Sequence, residues 1–561
     1  MNMDNYQIAD CFSLLAKLMD IHNENSFKAK TYSIAAFNIE KLPMQLSETP
    51  REKLFGIKGI GESTGKKVIE LLSTGELQSL KEMIEKTPPG VMEMLNIKGI
   101  GPKKISTIWK EMEIESIGEL LYACKENRLK LYKGFGEKTQ QNVIETIEFY
   151  LKSKGSFLFA QIEAMYEGLE SFFLKLFSAD KIAFTGAYKR QLEIVHEIDI
   201  VIDDTLQNIE EKMSTVDDFE LVEKEADILY RASVGLKFRI YSCDSSPIME
   251  QAFLKGCSPE FANTFTTEFP SIDYSICKDD ADIFRQAGLY FIPSCQRETA
   301  AIIERSKLGA LPPLLQVADV KGIIHSHSNW SDGSNTIEEM AKQAIAKGFE
   351  YLVISDHSKS AFYANGLQED RIREQHRYID ELNMQLAPFK IFKSIESDIL
   401  NDGSLDYSND VLAGFDLVIA SIHSNLKMNE EKAMMRLMNA ITNPYTTILG
   451  HMTGRLLLSR KGYPVDHKAI IDACAANQVV IELNAHPSRL DIDWRHIDYA
   501  LQRNVLISID PDAHAPEGFD DIKYGVSVAQ KALLTKDRNL SSFGLEALEA
   551  YLSNRKKWKN I

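Results

Sequence analysis

The first 150 residues alternate short amphipathic stretches with glycine turns, a pattern that predicts a set of short helices. Within them one pentapeptide is repeated, because Ile57-Lys58-Gly59-Ile60-Gly61 recurs as Ile97-Lys98-Gly99-Ile100-Gly101. A looser third copy is Lys133-Gly134-Phe135-Gly136. A polar stretch rich in Lys or Gln follows each copy, so we expect each glycine turn to join two helices.

The pattern changes to alternating strands between about residues 181 and 245, in IAFTGAY, LEIVHEIDIVID and LKFRIYSC. A mixed segment follows and ends at LGALPPLLQ, where two prolines interrupt an apolar run and indicate a linker. The middle of the chain is therefore predicted to be an α/β region.

Beyond this linker, apolar strands alternate with helices to the end of the chain. The predicted strands are VKGIIHSH, YLVISDH, FKIFKSIESDI, DLVIASIH, TTILGH, VVIELNA and VLISIDPDAH. Repeated strand–helix units of this kind form parallel barrels. Polar residues follow most of the strands, which predicts that they lie together at the carboxyl-terminal rim of the barrel.

Composition limits the class of protein. A chain of 561 residues is too long for a single core and predicts several domains. No stretch reaches the roughly 18 apolar residues of a membrane span, and MNMDNYQIADCFSLLAK does not read as a secretory signal. The seven cysteines are far apart, which indicates reduced thiols. We expect a cytoplasmic, monomeric protein with no membrane partner.

Charge is unevenly distributed along the chain. The net charge is −17, but residues 1–150 hold 20 basic and 21 acidic side chains, so the acidic excess lies beyond them. Because salt screens each charge beyond roughly 10 Å, local basic clusters decide whether a protein binds phosphates. The overall acidity does not exclude DNA, although any DNA contact should be local and sensitive to salt.

Ten of the twelve histidines lie at or beyond residue 325, a concentration that directs attention to metal binding. Nearly every candidate ligand follows a predicted strand, and successive strand ends of a barrel meet at one mouth. His325 and His327 are two residues apart on a strand, so their side chains should share one face. The candidate ligands are His325, His327, Asp332, His357, Glu396, His423, His451, Asp512 and His514.

Mixed imidazole and carboxylate ligands suit Mn²⁺, Zn²⁺ or Fe²⁺, and nine ligands exceed the needs of one ion. We expect two or three divalent ions, which would lower the pKa of bound water and hold phosphate oxygens. One side of the centre should comprise His325, His327, Glu396 and Asp512. The other five ligands should hold the remaining metal. This chemistry predicts hydrolysis of phosphate esters.

The strings HSHSNWSDG, ISDHS, IESDI, ASIHS, GHMTGR and DAH resemble the PHP (polymerase and histidinol phosphatase) domain. The resemblance covers about residues 318–550 and is closest to the form attached to bacterial family X DNA polymerases. It implies a (β/α)7-type barrel, a trinuclear site and DNA phosphodiester hydrolysis, as a 3′–5′ exonuclease, abasic-site endonuclease or other 3′-end processing nuclease. Arg455 is a candidate phosphate clamp, and a salt bridge at the rim is the alternative role for it.

The glycine turns of the first 150 residues resemble helix-hairpin-helix elements, which hold nucleic-acid backbones without reading sequence. A G-x-G turn before a helix presents backbone N–H groups to an anion. The candidate DNA-binding residues are Lys28, Tyr32, Gly59, Gly61, Lys66, Gly99, Gly101, Lys103, Lys104, Gly134 and Gly136. The expected partner is gapped, nicked or 3′-recessed DNA of any sequence.

The segment FKAKTYSIAA, residues 27–36, is similar to the 5′-phosphate pocket of the family X lyase domain. The resemblance puts Lys67 at the position of the Schiff-base lysine of lyase-active relatives, where Lys66 would help to lower its pKa. The alternative is that Lys67 is an ordinary phosphate contact. Ser33 stands where the family usually has Arg, which favours the alternative.

The middle region resembles the family X polymerase palm, whose G-S-x-R-R and D-x-D patterns precede a third Asp on a neighbouring strand. Three carboxylates are needed there to hold two divalent ions against the triphosphate. This chain has Ala187 for the serine, then Glu197 and Asp199, and Lys237 where the third Asp is expected. We expect Lys237 to form a salt bridge with Asp199 or Glu197, and the polymerase site to be degenerate.

The sequence thus predicts a multidomain DNA repair protein whose working catalytic centre is the barrel. Three alternatives stay open: a gap-filling polymerase with a proofreading barrel, a small-molecule phosphatase of histidinol-phosphate type, and a non-catalytic DNA-binding scaffold. The expected domains are 1–90 (lyase-like, with the first hairpin), 91–150 (fingers-like hairpins), 151–245 (palm), 246–316 (thumb-like region and linker) and 317–561 (PHP barrel).

Overall fold

The computed structural model describes residues 3–42, 44–57, 60–97, 99–152, 155–244, 246–309 and 311–561. The chain forms two compact units. The first comprises Met1–Lys125 and Leu129–Tyr150, and the second comprises Glu126–Arg128 and Leu151–Ile561. Lys58, Gly59 and Lys98 of the predicted turns lie outside the described residues.

The described part of the first unit is helical, as the amphipathic pattern predicts. The apolar positions of its helices form a core that includes Ile8, Phe12 and Val68, all fully buried. Gly99 and Gly134 both have φ of +93°, a left-handed conformation that favours glycine in these turns. The helices are α1 (Asn5–Ile21), α2 (Ser26–Glu40), α3 (Arg51–Leu54), α4 (Glu62–Thr74), α5 (Gln78–Glu85), α6 (Pro89–Met94), α7 (Pro102–Lys110), α8 (Ile117–Lys125) and α9 (Glu137–Lys152).

The palm-like region forms a mixed sheet in which the described strands follow the order β2-β4-β7-β6-β5. Strand β4 runs antiparallel to β2 and parallel to β7. A separate short pair is formed by β1 and β3. The strands are β1 (Phe157–Leu158), β2 (Ile182–Thr185), β3 (Ile194–Val195), β4 (Ile198–Ile202), β5 (Phe219–Lys224), β6 (Ile228–Ala232) and β7 (Lys237–Ser242).

Two details of this region differ from the sequence prediction. LEIVHEIDIVID is two strands instead of one, because the chain leaves the β1–β3 pair after Val195 and enters the main sheet at Ile198. The β5–β6 hairpin was missed because β5 is largely exposed and lacks the alternation of buried and exposed positions that marks a half-buried strand.

Helices of the palm-like and thumb-like regions lie around these strands. A buried cluster that includes Phe173, Ile200 and Phe238 packs the palm sheet against its helices. A second buried cluster, which includes Phe253, Phe265 and Phe284, lies in the thumb-like region. The helices are α10 (Phe159–Leu176), α11 (Gly186–Lys189), α12 (Leu206–Met213), α13 (Ile248–Lys255), α14 (Pro259–Glu268), α15 (Asp280–Gln286) and α16 (Ala301–Lys307).

The carboxyl-terminal region is a parallel barrel, which confirms the predicted fold class. Its described strands pair in sequence order, and a parallel bridge between Ser326 and Ala513 brings the first and last strands together. The strands are β8 (Gly322–Ser326), β9 (Tyr351–Ile354), β10 (Lys390–Asp398), β11 (Leu417–Ser421), β12 (Ile448–Leu449), β13 (Val480–Asn484) and β14 (Ile507–Asp510).

Helices cover the barrel, and the largest buried apolar cluster of the described residues fills the space between them and the strands. They are α17 (Ile337–Ala346), α18 (Glu369–Leu386), α19 (Asn409–Leu412), α20 (Glu430–Thr442), α21 (His467–Asn477), α22 (Trp494–Gln502), α23 (Ile522–Lys531) and α24 (Leu545–Lys559). Among the described residues, no helix combines the length and apolar character needed to cross a membrane.

Candidate functional site

His325 and His327 are both fully buried at the carboxyl end of β8. His325 has φ of +61°, and the register of β8 with β9 shifts between Ile323 and Ser326. Two backbone hydrogen bonds to Ala513 fix this distortion. The His327 N–H donates to the Ala513 carbonyl at 2.8 Å, and the Ala513 N–H donates to the His325 carbonyl at 3.2 Å. The two imidazoles therefore reach one site from a bulged strand, where the sequence predicted a regular one.

Glu396 lies at the centre of the cluster and is 1% exposed. Its two carboxylate oxygens together contact five histidines, because each of these rings has a nitrogen within 3.7 Å of either Oε1 or Oε2. These distances are 3.3 Å to His325, 3.7 Å to His327, 3.0 Å to His357, 3.1 Å to His423 and 2.9 Å to His451. A single carboxylate therefore touches imidazoles contributed by four different strand ends.

The other two carboxylates each contact histidines on one side of Glu396. Asp332 lies 3.5 Å from Nε2 of both His357 and His514. Asp512 lies 3.1 Å from Nε2 of His327 and 3.4 Å from Nε2 of His325. Asp512 also has a left-handed backbone, with φ of +53°, as does His325. Non-glycine residues in this conformation are characteristic of functional sites.

The nine predicted ligands thus come together in space, and eight of them fall into three groups whose ligand atoms lie within 4.8 Å of one another. His451 joins them through Glu396. The groups overlap at His327 and His357. They are His327, Asp332, His357 and His514; His325, His327 and Asp512; and His357, Glu396 and His423.

The donor set fits divalent cations. Buried polar atoms normally have hydrogen-bond partners, yet several atoms of this cluster are buried without one. They are His325 Nε2, His327 Nδ1, Asp332 Oδ2, His357 Nδ1, Glu396 Oε2, His451 Nδ1 and His514 Nε2. Nitrogen and carboxylate lone pairs converging in a site closed to water suit Mn²⁺, Zn²⁺ or Fe²⁺.

Burial and neighbouring charges shift the pKa values of several histidines in this cluster. Burial disfavours the charged form of His423, but Glu396 and Asp398 outweigh burial and raise its pKa to about 9. Burial likewise opposes the charge on His514, and Asp332 raises its pKa to about 9. Burial together with His514 and His357 lowers the pKa of His327 to about 4. Because metal ligands must be deprotonated, cations compete with protons for these nitrogens.

Two carboxylates that the sequence analysis missed each contact the ring of a candidate ligand. Glu482 Oε1 lies 2.5 Å from Nδ1 of His325, and Asp398 Oδ1 lies 2.8 Å from Nδ1 of His423. Such partners fix the ring and leave Nε2 for the metal. The sequence did contain signals for both, because Glu482 is a charged residue within the apolar run VVIELNA and Asp398 lies two residues after Glu396 on β10.

Arg455 forms the salt bridge that the sequence analysis kept as its alternative role. Its guanidinium donates to the Asp493 carboxylate at 2.6 Å, to the Arg489 carbonyl at 3.0 Å and to the Leu490 carbonyl. The side chain is 16% exposed. These bonds tie two loops of the rim together and engage three of the five N–H donors of the guanidinium within the protein.

The predicted polymerase site of the palm-like region is arranged differently from the prediction. Among the described residues Lys237 makes no ion pair with Asp199 or Glu197. Arg239 takes that role, with Nε 2.8 Å from Glu197 and Nη1 2.7 Å from Asp227. In the parallel register of β4 with β7, Arg239 lies directly opposite Asp199.

Asp199 is also engaged within the protein. It accepts a hydrogen bond from the Tyr241 hydroxyl at 3.0 Å and packs against Gly186, where a Cβ would meet its Oδ2 at 1.8 Å. Burial and the neighbouring charge of Glu197 raise its pKa to about 6. Ala187 supplies no hydroxyl. Arg190, the last residue of the degenerate G-S-x-R-R pattern, is paired with Glu298 at 2.8 Å.

In the helical unit, the two later glycine turns lie within the described residues, whereas Gly59 of the first lies outside them. Gly61 and Gly101 directly precede α4 and α7, and neither helix has a side-chain cap. Gly136 likewise directly precedes α9. At all three positions a Cβ would meet nothing within 4 Å. The amide groups at these helix ends can therefore face an anion.

The basic residues of the helical unit differ in their surroundings. Lys28 and Lys103 are exposed, whereas Lys66 pairs with Glu62 at 2.7 Å and the Lys104 ammonium lies 3.4 Å from the Gly99 carbonyl. The candidate lyase lysine, Lys67, donates to the Ser79 hydroxyl at 2.7 Å and lies 5.9 Å from the centre of the Tyr32 ring. Tyr32 itself is 6% exposed.

Comparisons with known proteins agree with this organisation. Family models match residues 3–77 as a helix-hairpin-helix domain, 91–148 as a SAM-like helix-hairpin-helix tandem and 324–486 as a PHP domain. The chain is 29% identical over 558 residues to the DNA polymerase/3'-5' exonuclease PolX of Bacillus subtilis, which covers 96% of this chain and 97% of that protein.

Further relatives match only part of the chain. A protein named "Probable phosphatase" from Thermoanaerobacter sp. (strain X514) is 25% identical over 247 residues, or 42% of this chain and 94% of its own length. The "Probable phosphatase YcdX" of Escherichia coli O81 is 29% identical over 172 residues, or 29% of this chain and 62% of its own length.

Proposed function

We propose that this chain is a member of the bacterial family X DNA polymerases that carry a PHP domain, and that it processes DNA through that domain as a metal-dependent phosphoesterase. The reaction we assign is 3′–5′ exonucleolytic or other 3′-end or abasic-site cleavage, without template-directed synthesis. One observation carries the proposal: Glu396 contacts five imidazoles in the closed mouth of the barrel.

We assign two or three divalent ions to the nine candidate ligands. When bound, such ions lower the pKa of water and neutralise charge on the phosphate. The protein itself fixes the orientation of the imidazole rings that would bind these ions. Glu482 and Asp398 engage Nδ1 of His325 and His423, so that Nε2 of each ring faces Glu396. Low exposure keeps bulk water away from these donors.

Loss of polymerase activity is supported by the state of the palm. Nucleotidyl transfer needs three carboxylates around two metal ions, and this chain offers Glu197 and Asp199 with Lys237 in the third position. Arg239 neutralises Glu197, and Glu298 engages Arg190. The rival proposal is a gap-filling polymerase with a proofreading barrel, which the name of the Bacillus subtilis relative favours because it includes both activities.

We propose DNA ends, gaps and nicks as the substrate, held by a monomer through its helix-hairpin-helix turns. The uncapped amino ends of α4 and α7 support this assignment. We assign Lys67 a phosphate contact instead of lyase chemistry, because its ammonium already donates to Ser79. The phosphatase alternative is supported by relatives that match less than half of this chain, and it leaves the hairpins without a role.

The five-domain division predicted from the sequence is retained as part of the proposal. Separate buried clusters in the palm-like region, the thumb-like region and the barrel support its last two boundaries.

The experiment that tests the proposed function compares wild-type protein with His327→Ala on 3′-recessed duplex DNA and on histidinol phosphate, both with Mn²⁺. We expect shortening of the DNA by the wild type only, and little turnover of histidinol phosphate. Faster turnover of the small ester than of DNA would overturn the proposal and favour the phosphatase alternative.

A further inference from the structure

A loop at the mouth of the barrel begins directly after the candidate ligand His357 and presents an exposed aromatic ring. Both ends of this loop, residues 358–367, meet at the ligand, because Ser358 pairs with Leu367 and the Leu367 N–H donates to the His357 carbonyl at 2.9 Å. Half of such a loop spans at most about 17 Å, so its tip lies within that distance of the metal ligands. The tip residue, Phe362, is 78% exposed.

The loop is fixed to a neighbouring loop that carries another candidate ligand. Asn365 donates to the Trp330 carbonyl at 3.2 Å, and the Arg371 guanidinium donates to the Trp330 carbonyl and, at 2.8 Å, to the Asn365 carbonyl. Trp330 is two residues before Asp332. A ring carried by an anchored loop loses little conformational freedom when it binds a partner.

A second loop of the rim repeats this arrangement after another ligand. The loop that follows His451 is closed by a bond of 3.0 Å from the Tyr463 N–H to the Thr453 carbonyl. Its tip residue Leu458 is 43% exposed and has φ of +60°. Lys461 is also exposed. The mouth therefore carries an apolar tip after each of two metal ligands, with an ammonium group nearby.

The burial of the candidate ligands limits which substrates would contact these two loop tips. The side chains of the candidate ligands are at most 10% exposed, so a phosphodiester must pass between the rim loops to reach them. Apolar or aromatic side chains interleaved with lysines match a nucleic-acid strand, because bases stack on rings while cations meet phosphates. A simple phosphate ester would gain nothing from an exposed ring beside the entrance.

We propose that Phe362 is a stacking residue that holds the nucleobase next to the scissile phosphate, with Leu458 on the other side of the mouth. The proposal rests on the proposed function of the barrel and adds the part of the substrate that the barrel recognises. The occupant is an unstacked base of the strand being cut. Phe362 acts on binding, so its effect falls on KM and leaves the maximal rate to the metal ligands.

The first test measures KM and kcat with Mn²⁺ on two labelled single strands. They are identical except that abasic tetrahydrofuran residues replace the last two nucleosides of one strand. We expect wild-type KM to be about 10-fold lower for the strand with bases. Phe362→Ala should raise KM for that strand by about 10-fold and remove most of the difference between strands, whereas Phe362→Trp should retain it.

A second readout does not depend on cleavage. The metal-free full-length protein is titrated into a strand with 2-aminopurine at its 3′ end, whose fluorescence falls when the base stacks. We expect quenching by the wild type and by Phe362→Trp, and much weaker quenching by Phe362→Ala. Met384→Ala is the matched control, because Met384 is 76% exposed near the end of α18, before β10 begins. It should behave as the wild type does.

Equal wild-type KM values for the two strands, or unchanged KM in Phe362→Ala, would overturn the stacking proposal while leaving the nuclease function intact. Failure of the wild type to cut either strand would overturn the proposed function itself. In that case the 2-aminopurine titration still decides whether Phe362 stacks on a base.

Discussion

Nε of Arg239 lies 2.8 Å from Oε1 of Glu197, and Arg239 is directly opposite Asp199 in the palm sheet. The same guanidinium reaches Asp227 at 2.7 Å, so it neutralises two carboxylates at once. Each of the three side chains is less than a third exposed. The palm-like region thus contains an internal ion-pair network centred on Arg239.

Removing Arg239 should therefore destabilise the protein. We expect Arg239→Met to lower the free energy of unfolding by about 2 kcal/mol, because Glu197 and Asp227 lose a charged partner in a partly buried site. Denaturant unfolding followed by tryptophan fluorescence measures the change. Arg231→Met is the matched control, since Arg231 is 46% exposed and lies 3.8 Å from an exposed Glu220. It should cost less than about 0.5 kcal/mol, and an equal loss in both variants would contradict this account.

Asp199 should make stability depend on pH. Its pKa in the folded protein is about 6, above the ordinary value of 3.8, so the unfolded state loses its proton first. The free energy of unfolding should fall by roughly 3 kcal/mol as pH rises from about 4 to about 6. Above about pH 6 this contribution should stay level. Asp199→Asn should remove this contribution. The measurement is the difference in unfolding free energy between wild type and variant from pH 4 to pH 7, and a constant difference would refute the prediction.

Asp398 should control metal affinity through His423. We expect Asp398→Asn to raise the Mn²⁺ concentration needed for half-maximal nuclease activity by about 10- to 100-fold, because the His423 ring loses its anionic partner. Saturating Mn²⁺ should restore most of the rate. Asp416→Asn is the control, because that carboxylate accepts the Lys393 N–H and contacts no candidate ligand. A lower maximal rate at an unchanged Mn²⁺ midpoint would argue against a positioning role.

Lys103 should contribute to DNA affinity through charge alone. It is exposed in the first turn of α7, directly after the glycine turn. We expect Lys103→Ala to weaken binding of gapped DNA similarly for different sequences and to reduce the slope of log Kd against log salt by about 1. Lys81→Ala, which removes a lysine paired with Glu76 away from the turns, should leave the slope unchanged. Fluorescence anisotropy at several salt concentrations distinguishes the two results.

The order of the barrel strands and the convergence of the nine candidate ligands could be predicted because both depend on local pattern. A buried strand can be recognised from a short run of apolar residues, and the parallel strands of a barrel bring their carboxyl ends to one rim. The left-handed conformations of His325 and Asp512 could not be predicted, since they depend on contacts between β8 and the segment after β14.

Long-range pairing also explains the errors in the palm. Lys237 was predicted to pair with Asp199 or Glu197 from its position in a motif, but the partner of a strand residue depends on register and on which neighbouring side chain reaches it. In the structure, it is the Arg239 side chain that reaches Glu197, at 2.8 Å. Arg455 was similarly ambiguous, because its partner Asp493 lies in another loop of the rim.

The central claim is that the barrel, and not the palm, is the working catalytic centre. The most direct test is a gel of 5′-labelled gapped DNA incubated with Mn²⁺, with and without dNTPs, for wild type, His327→Ala and Asp199→Ala. We predict shortening by wild type and Asp199→Ala with or without dNTPs, and none by His327→Ala. Extension of the primer by wild type that Asp199→Ala abolishes would contradict the account.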